Sequence, residues 1–476
     1  PCPGTPQTFT ITVNPIPTVN AVNSSGYCHG TTVSAINFAS SFGVANTIYT
    51  WTNSNQNIGL GTGATGNIPA FSATNAGTAP ISGTISVTPS ASNAGLSCSG
   101  TTITFVLTVN PIPTVNSIAS QVVCNNASTT AINFGGAVAG TVYTWSNNNI
   151  AINLGAQGNT NIPSFTATNS TNAPITGSFT VIPTYTNANQ TCPGSQTTFN
   201  ITVNPTPTVN AITNQTVCLN SPTIAIDFAS TFNVSGTTYN WTNNNTAIGL
   251  AASNSGNIAS FNGTNGTNSP ISGLITVTPQ VILGGTTCNG PPQTFTITVN
   301  PIPTVSAPAD LVLCHNANSG AISFTGAVAN TTYTWANNTS SIGLGATGTG
   351  NISSFVATNA TNAPVTALLS VTPTFGGCPG TSDFMNITVN PVPTINAVAN
   401  QAICVGSLSN PITFSSTPAI VGTQYNWTQT NTSIGLNSSS SSGNIAAFNT
   451  VNNSNTVQLS EFTVTPVYTN LQHNCP

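Results

Sequence analysis

The chain has no lysine and no arginine, and among its 476 residues only four acids (Asp227, Asp310, Asp383, Glu461) and three histidines. Without cationic side chains it cannot neutralise phosphates, which excludes nucleic acid and anionic membrane as electrostatic partners. Four scattered carboxylates supply neither the paired acids of glycoside hydrolysis nor the clustered ligands of a calcium bridge. No apolar run reaches the roughly 18 residues of a membrane-spanning helix. Helical periodicity is absent too. The chain opens at Pro1-Cys2 with neither methionine nor signal peptide, so a processed product or an excerpt is expected.

What the chain does have is repetition. Trp51, Trp145, Trp241, Trp335 and Trp427 follow one another at 94, 96, 94 and 92 residues, each inside a Tyr-x-Trp triplet. A hydrophobic share of 38% and one indole per block give each repeat material for its own core, unlike charged, weakly hydrophobic disordered tracts. A tandem array follows. Residues 1–14 read as the last strand of a preceding repeat. Residues 15–110, 111–204, 205–300 and 301–390 read as four repeats, and 391–476 as a fifth that lacks its last strand.

Within a repeat the apolar residues alternate with period two, and Asn, Gly, Ser and Pro clusters break the runs. Residues 8–13 put Phe9, Ile11 and Val13 on one face and threonines on the other, as a sheet with one wet side requires. For the second repeat about seven strands are expected: at Pro113-Thr114-Val115, 131–134, 143–145, 152–154, 161–169 and 178–183, with a last one patterned on 104–109. This predicts an all-β tandem array of five immunoglobulin-like sandwiches. Each repeat ends in Asn-Pro-x-Pro-Thr or a near variant, with Pro15 and Pro17, Pro111 and Pro113, Pro205 and Pro207, Pro301 and Pro303, and Pro391 and Pro393. Proline fixes φ, so these read as stiff linkers between beads. Sandwiches of roughly 35–45 Å set in line would reach on the order of 200 Å.

The cysteines imply disulfides and an oxidising compartment. Cys28, Cys124, Cys218, Cys314 and Cys404 follow the first strand. Cys2, Cys98, Cys192, Cys288, Cys378 and Cys475 precede the last. The step from the second class to the next member of the first is always 26 residues. Two connectivities are open. One joins Cys28 with Cys98, Cys124 with Cys192, Cys218 with Cys288, Cys314 with Cys378 and Cys404 with Cys475, leaving Cys2 over. The other ties neighbouring repeats through Cys28 with Cys192, Cys124 with Cys288, Cys218 with Cys378 and Cys314 with Cys475. It suits the constant step and the need for Cα atoms within about 7 Å.

Several motifs suggest chemistry and fail on context. Residues 61–66, Gly-Thr-Gly-Ala-Thr-Gly, match a dinucleotide fingerprint, but no helix and no acidic residue follow as that site requires. His29 and His315 adjoin Cys28 and Cys314, and His473 lies two before Cys475. The matching places elsewhere hold Asn125, Leu219 and Val405, so solvated loop histidines are expected in place of a metal or thiolate site. Asp227 stands where other repeats carry Asn37, Asn133, Ser323 and Thr413, so its charge is incidental. The Tyr-x-Trp pairs read as core, with an exposed sugar-stacking platform as the alternative. Asn-x-Ser/Thr sequons permit glycosylation without predicting it.

The Tyr-x-Trp strand, the cysteine before the second strand, the Val-Thr-Pro strand end (Val87-Thr88-Pro89, Val277-Thr278-Pro279, Val371-Thr372-Pro373) and the Cys-x-Gly before Thr-Phe-x-Ile-Thr-Val-Asn-Pro resemble the PKD-like and immunoglobulin-like repeats of giant Bacteroidota surface proteins. The resemblance implies type IX secretion, and in some members gliding adhesion. The acidic turn of typical PKD domains is replaced here by Trp-Thr-Asn-Ser and variants, so no ligand-binding role carries over. The expectation is a non-enzymatic, cofactor-free, extracellular structural repeat region at a bacterial cell surface. Its uncharged edge strands invite side-by-side pairing with other copies. The alternative is an adhesin whose uncharged surface binds glycans by many weak contacts.

Overall fold

A computed structural model describes residues 4–476, so Cys2 lies outside the described residues. Strands and short 3₁₀ turns make up the regular structure, with no α-helix among the described residues. Contacts divide the chain into two compact units. One holds the residues up to 210 with 229–239 and 278–292; the other holds 211–228, 240–277 and 293–476.

In the first unit, the second repeat shows how the sequence makes a sheet. An opening strand Gln121–Cys124 runs parallel to the closing strand Thr197–Asn204, which pairs antiparallel with a long strand Ile175–Asn187. Beyond it lie the indole strand Val142–Asn147 and a short outer strand Gln157–Gly158. The closing strand's alternation is realised as read: Phe199, Ile201 and Val203 are buried. Phe179 stacks on Phe199 at 4.7 Å, and Trp145 packs against Phe179 at 5.9 Å. Pro183 sits where the long strand has left its ladder with the closing strand and turns to the hairpin strand Gln190–Pro193. No ladder donor is lost to the closing strand there, which accounts for the recurring proline at the strand end.

The facing layer is thinner than seven regular strands would make it. Residues 131–134 and 161–169 contribute only isolated bridges, Ile132 to Ile162 and Ser128 to Thr166. The expected strand at 152–154 is instead a 3₁₀ turn, Ile150–Ile152, capped by Asn149, whose side chain accepts from Ala151 N at 3.1 Å. The expected first strand at Pro113-Thr114-Val115 is not a strand; the opening strand comes six residues later and ends on Cys124.

The first repeat has the same order of strands, from Ser25–Cys28 to Ile103–Asn110, and adds a two-strand ladder between Thr32–Val33 and Phe71–Ser72. In the second unit the pattern recurs in the fourth repeat, from Leu311–Cys314 to Asp383–Asn390. The third repeat supplies Gln215–Cys218 and Gln293–Asn300 to the same unit. The fold is thus all-β, sandwich after sandwich, and the five indoles are core: Trp51, Trp145, Trp241 and Trp427 are buried and Trp335 is nearly so.

The fifth repeat departs from the others. Its sheet has four strands, with neither an opening nor a closing one.

Two of the four acids have structural work. Asp310 accepts from Asn386 N at 2.8 Å and from its Nδ2 at 3.1 Å, and Asp383 accepts from Ala307 N at 2.8 Å. These backbone donors hold both carboxyls below the ordinary carboxylate range. A depressed folded-state pKa contributes stability above the ordinary value, lost as pH falls through the folded one. Asp310→Asn with Asp383→Asn should therefore flatten the acid limb of a melting-temperature profile below about pH 4. At neutral pH the double variant should lose no more than the carboxylates' own contribution, because an amide oxygen can still accept at the Asp310 place, as Asn214 does from Thr296 N at 2.8 Å. Calorimetry across that range is the check.

Stapled junctions as the candidate functional site

The chemistry-bearing residues converge where one repeat meets the next. Cys28 bonds Cys192 and Cys124 bonds Cys288 in the first unit; Cys218 bonds Cys378 and Cys314 bonds Cys475 in the second. Their Cα atoms lie 5.5–5.6 Å apart. Each disulfide ties the end of an opening strand to the hairpin of the following repeat, and none of the within-repeat pairs forms. Cys98 and Cys404, expected in disulfides, are free thiols. The pairing rule explains both. A second-class cysteine takes its partner from the repeat before it and a first-class cysteine from the repeat after, so these two have none within the array.

The hairpin that carries each second-class cysteine has a two-residue turn. Ala188 and Asn189 have φ of +50° and +59°, and Gly284 with Gly285, and Gly376 with Gly377, are likewise positive. Two central residues at positive φ make the type I′ turn that suits strand twist. The tip rests on the asparagine of the Asn-Pro-x-Pro motif. Asn110, fully buried, donates from Nδ2 to Asn187 O at 2.8 Å, and Asn187 Nδ2 returns a bond to Asn110 Oδ1 at 3.0 Å. Asn204 donates to Leu283 O at 2.8 Å and Asn300 to Gly376 O at 3.2 Å. At the last junction Asn470 Nδ2 donates to Asn390 Oδ1 at 2.9 Å. Burying an amide costs free energy unless it is bonded, so the side-chain amides of Asn110, Asn204 and Asn300 find these partners only when the next repeat is docked; Asn390 accepts at Oδ1, but its Nδ2 is buried without a partner.

Bulk is matched as well. Gly26 leaves space for Ala188, whose oxygen would lie 2.7 Å from an added Cβ; at the next junction Val122 replaces Gly26 and meets Gly284. Val234, Val281 and Cys288 form a small buried cluster with Cys124, Phe232 and Leu283 at that second junction.

The prolines are not a free spacer. Pro111, Pro113, Pro205, Pro207, Pro301, Pro303, Pro391 and Pro393 are buried, as is Pro17; only Pro15 is exposed. The glycine of each Cys-x-Gly lies against them. An added Cβ on Gly100, Gly194, Gly290 or Gly380 would overlap the carbonyl oxygen of Pro17, Pro113, Pro207 or Pro303 respectively. Beads joined by exposed rods are thus replaced by contact. The asparagine and glycine roles were missed in the sequence, where the fixed 26-residue step was their only signal.

Two of the three histidines, His29 and His315, are structural acceptors, a correction to their reading as merely solvated, while His473 is exposed. Asn75 N donates to His29 Nδ1 at 2.8 Å and Asn359 N to His315 Nδ1 at 2.9 Å. Asn125 Oδ1 accepts the matching bond from Asn169 N at 2.8 Å, which is why His and Asn interchange here. Cys314, His473 and Cys475 cluster within 4.8 Å, but the disulfide between the two cysteines takes up both thiolates a metal would need. Of residues 61–66, Gly63–Thr65 form a short outer strand, not a phosphate loop. Asp227 accepts from Asn257 Nδ2 at 2.7 Å.

No family model and no curated protein matches the chain. Among solved structures it is similar to Drosophila N-cadherin EC1-4 (11% identity, 78% of this chain, 99% of that one, TM-score 0.25). It is also similar to protocadherin gamma B2 extracellular cadherin domains 3–6 (11%, 79% and 100%, TM-score 0.30) and Sidekick-1 immunoglobulin domains 1–4 (12%, 78% and 97%, TM-score 0.25). Superpositions this loose carry no function across.

Proposed function

We propose that this chain is the load-bearing repeat region of an extracellular stalk or filament at a bacterial cell surface, without catalytic activity, with its domain limits at the junction asparagines. The observation that carries this reading is the junction itself. Four times over, a disulfide and a buried asparagine hold one repeat's hairpin to the repeat before it, and at the first two junctions matched packing adds to them. A chain selected only to display loops needs no such investment in the joints. With almost no ions on its surface, the hold is insensitive to salt.

The adhesin reading is tested against it by presenting the chain to glycan arrays and mineral surfaces over a range of ionic strength. A stalk shows no retention. Retention that survives salt and grows with repeat number would replace the stalk by an adhesive array.

A further inference from the structure

The outward face of the fourth repeat's sheet departs from its counterparts. On the closing strand Asp383–Asn390 the second residue is Phe384, 56% exposed, where the first three repeats carry Thr104, Thr198 and Thr294. Across the ladder Phe384 faces Ser370, and Ser370 faces Ala336 of the indole strand Thr332–Asn337, where those repeats carry Thr52, Ser146 and Thr242. Leu368 lies two residues before Ser370 on the long strand and is 40% exposed. Thr84 and Ser178 take its place in the first two repeats, and Leu274 in the third. Alternation with period two puts all four side chains on one side of the sheet. Three apolar groups therefore stand together on a face that the first two repeats pave mainly with hydroxyls.

Two of the chain's four acids border this patch. Asp310 Oδ1 accepts from Asn386 N at 2.8 Å and Asp383 Oδ1 from Phe384 N at 2.9 Å. Those donors are two residues apart on one strand, roughly 7 Å, so the carboxylates stand side by side along its edge. The bond at Asp310 does not need a charge. Ser24, Ser120 and Asn214 accept its counterpart from Val106 N, Asn200 N and Thr296 N at 2.8–3.0 Å. At the place of Asp383 the first three repeats have Ile103, Thr197 and Gln293. Each carboxylate accepts two bonds of the roughly four its lone pairs allow, which leaves room for a further donor.

We propose that this face is a docking surface for a segment of another protein that carries cationic and apolar side chains together. Charge complementarity selects the occupant. A second copy of this chain brings no lysine or arginine and a net charge of −4, so two such faces laid together would set four carboxylates in one contact with no cation between them. An extended segment presents alternate side chains on one face at roughly 7 Å, which lets cations at positions i and i+2 meet Asp310 and Asp383. Arginine suits both groups, since its guanidinium pairs bidentately with a carboxylate and stacks on a phenyl ring. Apolar side chains flanking the two cations on the same face would cover Leu368 and Ala336.

The test titrates the full oxidised chain at low salt with a blocked heptapeptide, Leu-Thr-Arg-Thr-Arg-Thr-Leu, followed by calorimetry. Its counterpart with glutamate for arginine and the bare polyamine spermine serve as comparisons. Saturation below about 1 mM is expected for the arginine peptide alone. Phe384→Thr, which installs the residue of the first three repeats, should weaken binding roughly tenfold. Asp310→Asn with Asp383→Asn should weaken it about as much and remove most of its salt dependence. Because Phe384 is exposed and threonine fills its place elsewhere, circular dichroism of Phe384→Thr should be unchanged. No saturation by the arginine peptide, equal binding of spermine, or full affinity in Phe384→Thr would each overturn the proposal. So would dimers in light scattering that Phe384→Thr abolishes, since these would give the face to a second copy. The disulfides play no part in this contact, so its failure leaves the stalk reading standing.

Discussion

Pulled between its ends, the oxidised chain is expected to stop lengthening at roughly 400 Å, and the reduced chain to run on to roughly 1,600 Å, at roughly 3.5 Å per extended residue. The difference comes from the covalent map. The shortest path from residue 4 leaves at Cys28, re-enters at Cys192, leaves at Cys218, returns from Cys378 back to Cys314 and ends through Cys475. It crosses about 115 residue steps where the reduced chain offers about 472. Single-molecule force spectroscopy with and without dithiothreitol measures this directly. An oxidised contour equal to the reduced one would remove the staples. Alanine at both Cys124 and Cys288 should also lower thermal stability by about 2–5 kcal/mol, the usual cost of removing a native disulfide.

Gly194→Ala should be the most damaging single methyl in the second repeat. Its Cβ would overlap the Pro113 carbonyl oxygen and press on Pro183, and both are fixed, one by proline geometry and the other by the hydrogen bond from Gly194 N to Pro183 O at 2.8 Å. Backbone must move. A loss of about 3 kcal/mol is expected, the upper end of ordinary overpacking. Gly61→Ala, with nothing within 4 Å of its added Cβ, is the matched control. Calorimetry of the two variants decides; equal melting temperatures would show that the prolines give way.

Much of this architecture could be read from alternation and period. Phe199, Ile201 and Val203 announce a half-buried strand, and the indole spacing announces the repeats. The opening strand could not be placed, because its parallel partner lies about 80 residues further on and local propensity favours Pro113-Thr114-Val115 instead. The segment at 150–154 shows a two-residue alternation that a 3₁₀ turn satisfies equally well. Its true signal was Asn149 as cap and Asn153 at φ +70°. Cysteine pairing stayed open because it depends on which ends of two sandwiches meet. The asparagine before each proline looked like linker composition, since burial by a neighbouring repeat leaves no local mark.

The four disulfide loops overlap: 28–192, 124–288, 218–378 and 314–475. Every peptide bond from Cys28 to Cys475 therefore lies inside at least one closed ring. A single hydrolytic cut anywhere along that span cannot part the molecule, because a second route always bridges the gap. The chain is built like a net, in which damage must strike the same mesh twice before anything comes loose.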